Sequence, residues 1–313
     1  MKKTPTSSRK GFTLIELLVA MVITTIIVSI LVSVTALALD TWNRSRSEIR
    51  AARQAKAMID SMAADFESMV VREGNPFEWL LARSNPDADG PNANASPNSV
   101  DLIFFSAATD RYNGQVGVDG VDLGGDVSTI GYQLVYKDPI GSSDEEKFKT
   151  FVLYRKLVNP DETFNLPILG QESLDGKVDF GTSGTDVVSD ERNFICENVY
   201  QFTLTFHVQV VAEISGVKRT LTIPVSIGQG ASSQTDEFAI MGTGIETDFS
   251  GTATVDNAQL QSGTVSAVEV SLTVLTDFGI RQMQSRSLSG EDLEEFIAQN
   301  SYQYSKLISV PGS

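Results

Sequence analysis

The chain contains the stretch GFTLIELLVAMVITTIIVSILVSVTALAL, residues 11–39. From Phe12 to Leu39 it runs for 28 residues with a single charge, Glu16. A bilayer core needs about 20 consecutive apolar residues as a helix, so this run is long enough to span one. It is too long for the core of a cleaved secretory signal, and no small-residue cleavage site closes it. An unpaired carboxylate inside hydrocarbon is costly, so Glu16 reads as functional from the outset.

Upstream lies MKKTPTSSRKG, residues 1–11, polar and basic. Lys2, Lys3, Arg9 and Lys10 favour a cytoplasmic N-terminus. Arg44, Arg46, Arg50, Arg53 and Lys56 follow on the other side, so charge counting alone leaves topology open. Together, Gly11-Phe12-Thr13-Leu14-Ile15-Glu16-Leu17 resembles the signature of type IV prepilins and type II secretion pseudopilins: glycine before the cut, an aromatic first residue, and glutamate at the fifth mature position. The resemblance implies cleavage after Gly11 by a prepilin peptidase and N-methylation of Phe12. It further implies an assembly role for Glu16, pairing with the N-terminal amine of a neighbouring subunit, with Thr13, Leu14, Ile15 and Leu17 completing the signature. Glycine suits the scissile position because an extended backbone without a side chain enters a narrow cleft.

Downstream, no Pro or Gly occurs from Phe12 to Glu73. Trp42 sits where an interfacial aromatic belongs. Trp42, Ile49, Ala52, Ile59, Ala63, Phe66 and Val70 then follow three/four spacing, with Ser45 and Ala55/Lys56 filling the intermediate turns and Arg46, Glu48, Arg50, Arg53, Asp60, Asp65 and Glu67 assigned to the other faces. One helix of about 60 residues, roughly 90 Å long, is the simplest reading. Gly74 and Pro76 are placed as its end.

Beyond the helix the chain reads as an antiparallel β head. Strands are predicted over 100–107, 129–137, 150–158, 199–211, 217–227 and 265–277, and no alternation of strands with helices suggests parallel pairing. A polar loop is expected over 74–99, with its most polar part at 84–99, and Gly/Ser/Asp-rich connections over 170–190 and 228–263. Ser289-Gly290-Glu291-Asp292 matches a capping box before a short terminal helix and tail, 289–313. The organisation is therefore leader 1–11, transmembrane helix 12–39, amphipathic continuation 40–73, loop 74–99, β head 100–288 and terminal segment 289–313. The fold class is α+β and pilin-like, with one long N-terminal helix packed on an antiparallel sheet. This order resembles the minor pseudopilins of the J class, and also the prepilin-type cassette protein C group of verrucomicrobial-type bacteria, through Thr41-Trp42, Tyr132 and Tyr154-Arg155.

Composition narrows function. The chain carries 40 acidic against 24 basic residues, a net charge of −16. Residues 1–56 hold nine of the basic residues against three acids. So acidic a head argues against nucleic acid, because phosphate contacts need a basic surface. The lone Cys196 rules out an intrachain disulfide and reads as a buried small apolar residue. His207 lies inside a predicted strand and reads as a packing residue. Asp87-x-Asp89-Gly90 matches part of a calcium loop, but Pro91 and Asn98 occupy ligand positions, so it reads as solvated. Asp119, Asp122 and Asp126 read likewise, and no metal, cofactor or catalytic residue is assigned. The expected function is a non-catalytic minor pilin or pseudopilin of the bacterial inner membrane, N-terminus cytoplasmic and head periplasmic or extracellular. It would join or prime a filament for secretion or pilus assembly. Its expected partners are a prepilin peptidase, other pilins or pseudopilins, membrane lipid and an exported protein. The alternative is a membrane-anchored protein that uses the same processing to present a ligand-binding head.

Overall fold

The computed structural model describes residues 13–85, 90–107, 125–139, 145–160, 163, 168–176, 191–214, 216–228, 234–249, 252 and 255–311. Two compact units emerge, Met1–Ile49 and Arg50–Ser313.

Helix α1 runs over Leu14–Glu67. In the first unit its residues are exposed apart from Ser47, from Leu14, Ile23 and Leu31 through to Trp42. This is the one described helix long and apolar enough to cross a membrane. In the second unit the pattern changes: Ala51, Ala55, Met58, Ile59, Met62, Ala63 and Phe66 are buried at helical spacing. The helix stops at Glu67, six residues before Glu73. Met69 is buried and bridges Ser106, and the Val70 N–H donates to Phe105 O at 2.9 Å. The chain therefore leaves α1 to pair with a strand, and Val70, assigned above to the helical stripe, is half-buried against the far side of that sheet.

The head of the second unit contains two sheets. Strands β1 (Glu78–Ser84), β2 (Val100–Ser106), β3 (Ser128–Lys137), β4 (Thr150–Val158) and β5 (Phe194–Glu197) join β9 (Glu237–Met241) and β10 (Gly244–Thr247) in the order β10-β9-β1-β2-β3-β4-β5. The second sheet has the order β12-β11-β6-β7-β8, from β6 (Val199–Ile214), β7 (Val217–Ile227), β8 (Gln234–Thr235), β11 (Thr264–Leu275) and β12 (Ser301–Ser309). Pairing is antiparallel except between β7 and the two-residue β8. One core joins α1 to the inner faces of both sheets, where Phe66 stacks on Phe104 at 4.8 Å and Phe206 on Phe238 at 4.2 Å. A smaller core, including Trp79, Phe105, Tyr154, Ile168 and Leu174, covers the outer face of the seven-stranded sheet.

Several expectations need correction. The span 74–99 is not simply a loop, because β1 occupies Glu78–Ser84 and is buried on both faces between β9 and β2. Trp79 and Leu81 serve the outer core, Leu80 and Ala82 the inner. The span 228–263 holds β8, β9, β10 and the short helix α2 (Asn257–Gln261), capped by Asp256. The last predicted strand stops at Leu275, because Thr276 caps helix α3 (Asp277–Ser285) by accepting from the Gly279 N–H at 2.9 Å. Helix α4 (Glu291–Asn300) begins after Gly290 at φ 57° with no side-chain cap, so Ser289 and Asp292 form no capping box. The residues after it are an edge strand, β12, which makes nine residue pairings with β11.

Candidate functional site

The site with a sequence signature is the start of α1. Gly11 and Phe12 lie outside the described residues. From Thr13 the geometry is local to the first unit. Glu16 Oε2 accepts from the Thr13 backbone N–H at 2.9 Å and from Thr13 Oγ1 at 2.8 Å, and the Glu16 N–H approaches Thr13 Oγ1 at 3.3 Å. Thr13-Leu14-Ile15-Glu16 is a reciprocal capping box, in which the carboxylate satisfies a donor that the first helical turn leaves orphaned. The sequence reading missed this because it treated Glu16 only as a partner for another chain. Leu14, Ile15 and Leu17 are exposed beside it.

The second set of polar contacts lies in the head, where α1 meets the sheets. Asp65 was assigned to a face other than the apolar stripe, but it follows Met62 by three residues and is buried with it. Arg155 on β4 donates to it twice, Nε to Oδ2 at 2.7 Å and Nη2 to Oδ1 at 2.6 Å. The Tyr132 hydroxyl on β3 also donates to Oδ2. Tyr132 and Arg155, noted above only for the resemblance, thus converge on one carboxylate; paired strands bring them level, as Tyr132 faces Arg155 in the β3–β4 register. Burial, reinforced by the Asp65 charge, pushes the Tyr132 phenol well above its ordinary pKa, so it stays a neutral donor. A buried carboxylate with a bidentate guanidinium and a phenol has most of its lone-pair directions filled.

A third cluster ties the N-terminal end of this unit. Arg50 Nη2 meets Glu197 Oε1 at 2.6 Å and Nη1 meets Asp277 Oδ2 at 3.6 Å. Gln54 Nε2 donates to the same Glu197 oxygen at 3.2 Å. Asn198 connects the elements that carry the two acids, the end of β5 and the start of α3. It sits at φ 62°, a left-handed conformation that asparagine tolerates, donates from Nδ2 to Asp277 at 2.9 Å and accepts from Thr150 Oγ1 at 2.5 Å.

Other candidates are not brought together. Cys196 is buried on β5 of the first sheet, and burial pushes its thiol up to about 12. His207 is half-buried on β6 of the other sheet, with Nε2 3.8 Å from Glu269 Oε2. Asp87, Asp89, Asp119 and Asp122 lie outside the described residues, and no three potential ligands cluster for a metal among the described ones. An open groove of about 350 Å³ runs past Val71, Met241, Thr243, Gln261 and Thr264. Gly242 and Gly263 line it because a Cβ there would collide with Asn75 O at 2.5 Å and Val208 Cγ1 at 2.6 Å, so both are packing glycines.

Comparison with known proteins bears on the first site. No curated protein matches the chain significantly. A type IV-like pilin from Thermus thermophilus shows a distant likeness, 10% identical over 84% of this chain and 96% of that one, with a TM-score of 0.31. The prokaryotic N-terminal methylation motif matches residues 6–32, the segment that holds Gly11, Phe12 and Glu16 and most of the apolar run.

Proposed function

We propose that this chain is a non-catalytic prepilin: a prepilin peptidase cuts it after Gly11 and methylates Phe12, and it then joins or primes a filament as a minor pilin or pseudopilin. The observation that supports this best is the double character of α1. One helix presents an exposed apolar segment of membrane-spanning length behind a methylation motif, then becomes the central core element of an acidic head. The Gly11–Leu17 resemblance to prepilins, together with the basic leader, supports a cytoplasmic N-terminus and a head on the periplasmic or extracellular side of the inner membrane. Glu16 serves twice in this reading. It closes the first turn through Thr13, and it offers a carboxylate to the amine of a neighbouring subunit once the leader is gone. The order of long helix, antiparallel strands and late terminal segment favours a role like that of the J-class pseudopilins, with an exported protein as the further partner.

Intact-mass and N-terminal analysis of protein extracted from membranes containing an active prepilin peptidase tests the reading. A mature chain beginning with methylated Phe12 supports it. A chain that still begins at Met1 in that host overturns it.

A further inference from the structure

Strand β1 ends at Ser84, and the next residue, Asn85, is gripped at three points by residues at the start of β2. Its backbone N–H donates to Ser99 O at 2.9 Å, and its backbone carbonyl accepts from the Ser99 hydroxyl. Its side-chain Nδ2 lies 3.1 Å from each carboxylate oxygen of Asp101. An ionised carboxylate only accepts, so the amide nitrogen and not the amide oxygen must face it. Gln133 Nε2, opposite Asp101 on β3, donates to Asp101 Oδ2 at 3.4 Å, and Ser99 is buried. Burial pushes Asp101 up to about 6, which makes it a stronger base than an ordinary carboxylate and leaves it ionised at neutral pH. The residue that follows Asn85 in the sequence is Pro86. Proline has no N–H, so the usual deamidation of asparagine, in which the following backbone nitrogen attacks the side chain, is closed. The nucleophile that remains is the side-chain nitrogen of Asn85 itself.

We propose that Asn85 is a self-cleavage site, at which its side-chain nitrogen attacks its own backbone carbonyl carbon and expels the nitrogen of Pro86. Asp101 takes a proton from Nδ2 as the bond from Nδ2 to the carbonyl carbon forms. The carbonyl oxygen becomes an oxyanion, and the Ser99 hydroxyl that already donates to it holds the new charge. Collapse breaks the bond to the Pro86 nitrogen, which receives the proton from Asp101. The products are a cyclic imide at the C-terminus of the first piece and a free secondary amine at Pro86. No water is consumed until the imide later hydrolyses. Nucleophile and electrophile belong to one residue, so no second molecule has to be brought into place. The event happens once per chain, so the protein turns over no other substrate. The pieces stay together afterwards, because β1 remains hydrogen-bonded to β9 and β2 on its two sides and α1 remains in the core. The reaction uses residues of the second unit alone and does not depend on processing at Gly11.

The test follows the purified full-length protein in detergent at neutral pH, from isolation through incubation, by denaturing gel, N-terminal analysis and intact mass. The expected result is two fragments, the second beginning at Pro86, that co-elute under native conditions and separate in denaturant. On first appearance their masses sum to that of the intact chain. Asn85→Ala should abolish the cut. Asp101→Asn and Ser99→Ala should each slow it about 100-fold, the order expected on losing a general base or an oxyanion donor. Unfolding the unaltered chain should slow it as well, because Asp101 and Ser99 then leave Asn85; this comparison needs no variant to fold. Persistence of the intact, folded chain overturns the inference. So does cutting at an unchanged rate in Asp101→Asn, and so do fragments that carry an added water from their first appearance, the mark of a protease.

Discussion

Arg155 and Asp65, 90 positions apart in the sequence, form a two-point hydrogen-bonded ion pair across the interface between β4 and α1, with contacts of 2.7 and 2.6 Å. Both side chains are largely shielded from water, at 16% and 6% exposure. Removing one member leaves the other buried without its counter-charge, which costs about 3–5 kcal/mol, whereas replacing both by apolar residues of similar volume is often neutral. Arg155→Met alone and Asp65→Leu alone should therefore each destabilise the head strongly, and the double variant should recover most of the loss. Denaturant titration of the three variants checks this. Additive losses in the double variant would show that the pair is not coupled.

Phe66 gives the second prediction. It is fully buried and stacks on Phe104 with ring planes 3° apart. Phe66→Ala should cost about 3–5 kcal/mol, the range for truncating a packed aromatic. A chain without residues 1–40 should fold as a soluble acidic head, and it offers the material for the comparison by circular dichroism melts. An unchanged melting temperature would show that the helix does not belong to the head's core.

The third concerns pH. Glu78 is pushed up to about 7, chiefly by burial, against a donated Leu174 N–H; Asp101 is pushed up to about 6, again chiefly by burial. Their unfolded values lie near 4.3 and 3.9. The native state thus holds protons that the unfolded chain releases between about pH 4 and pH 7. These two groups give stability that is fully present below the unfolded values and is lost as pH rises through the folded ones. The head should melt several degrees lower at pH 8 than at pH 5.5, and Glu78→Gln should flatten that decline. A variant whose pH dependence matched the unaltered protein would remove Glu78 as the source.

The fourth concerns Glu16. Glu16→Ala removes a charge from the apolar run, so membrane insertion becomes easier on translocon-based scales. It also removes the acceptor for the Thr13 N–H and so opens one half of the capping box. Cleavage after Gly11 should persist, while assembly should fall. Glu16→Gln should keep the local acceptor and lose the charge, so its behaviour separates the two roles. Assembly by Glu16→Gln at the level of the unaltered chain would leave only the capping role.

What the sequence by itself determined was everything written in contiguous residues. The apolar run, the Gly11-Phe12 junction, Glu16 and the unbroken passage into an amphipathic helix are local patterns with local physical meaning. The longer strands of the head, β2, β3, β4, β6, β7 and β11, were also legible, because each carries a run of β-branched and aromatic residues. Tertiary structure alone decided that there are two sheets. It placed Glu78–Ser84 in the interior of one, between β9 and β2, where both faces are covered and no alternation of polar residues marks a strand, and it made Ser301–Ser309 the polar edge of the other, where pairing with β11 supplies what hydrophobicity does not. It also decided that Asp65 is buried. A carboxylate near an apolar stripe is read as solvated unless its counter-charge is visible, and Arg155 and Tyr132 become visible only when β3 and β4 pair and fold back onto the helix.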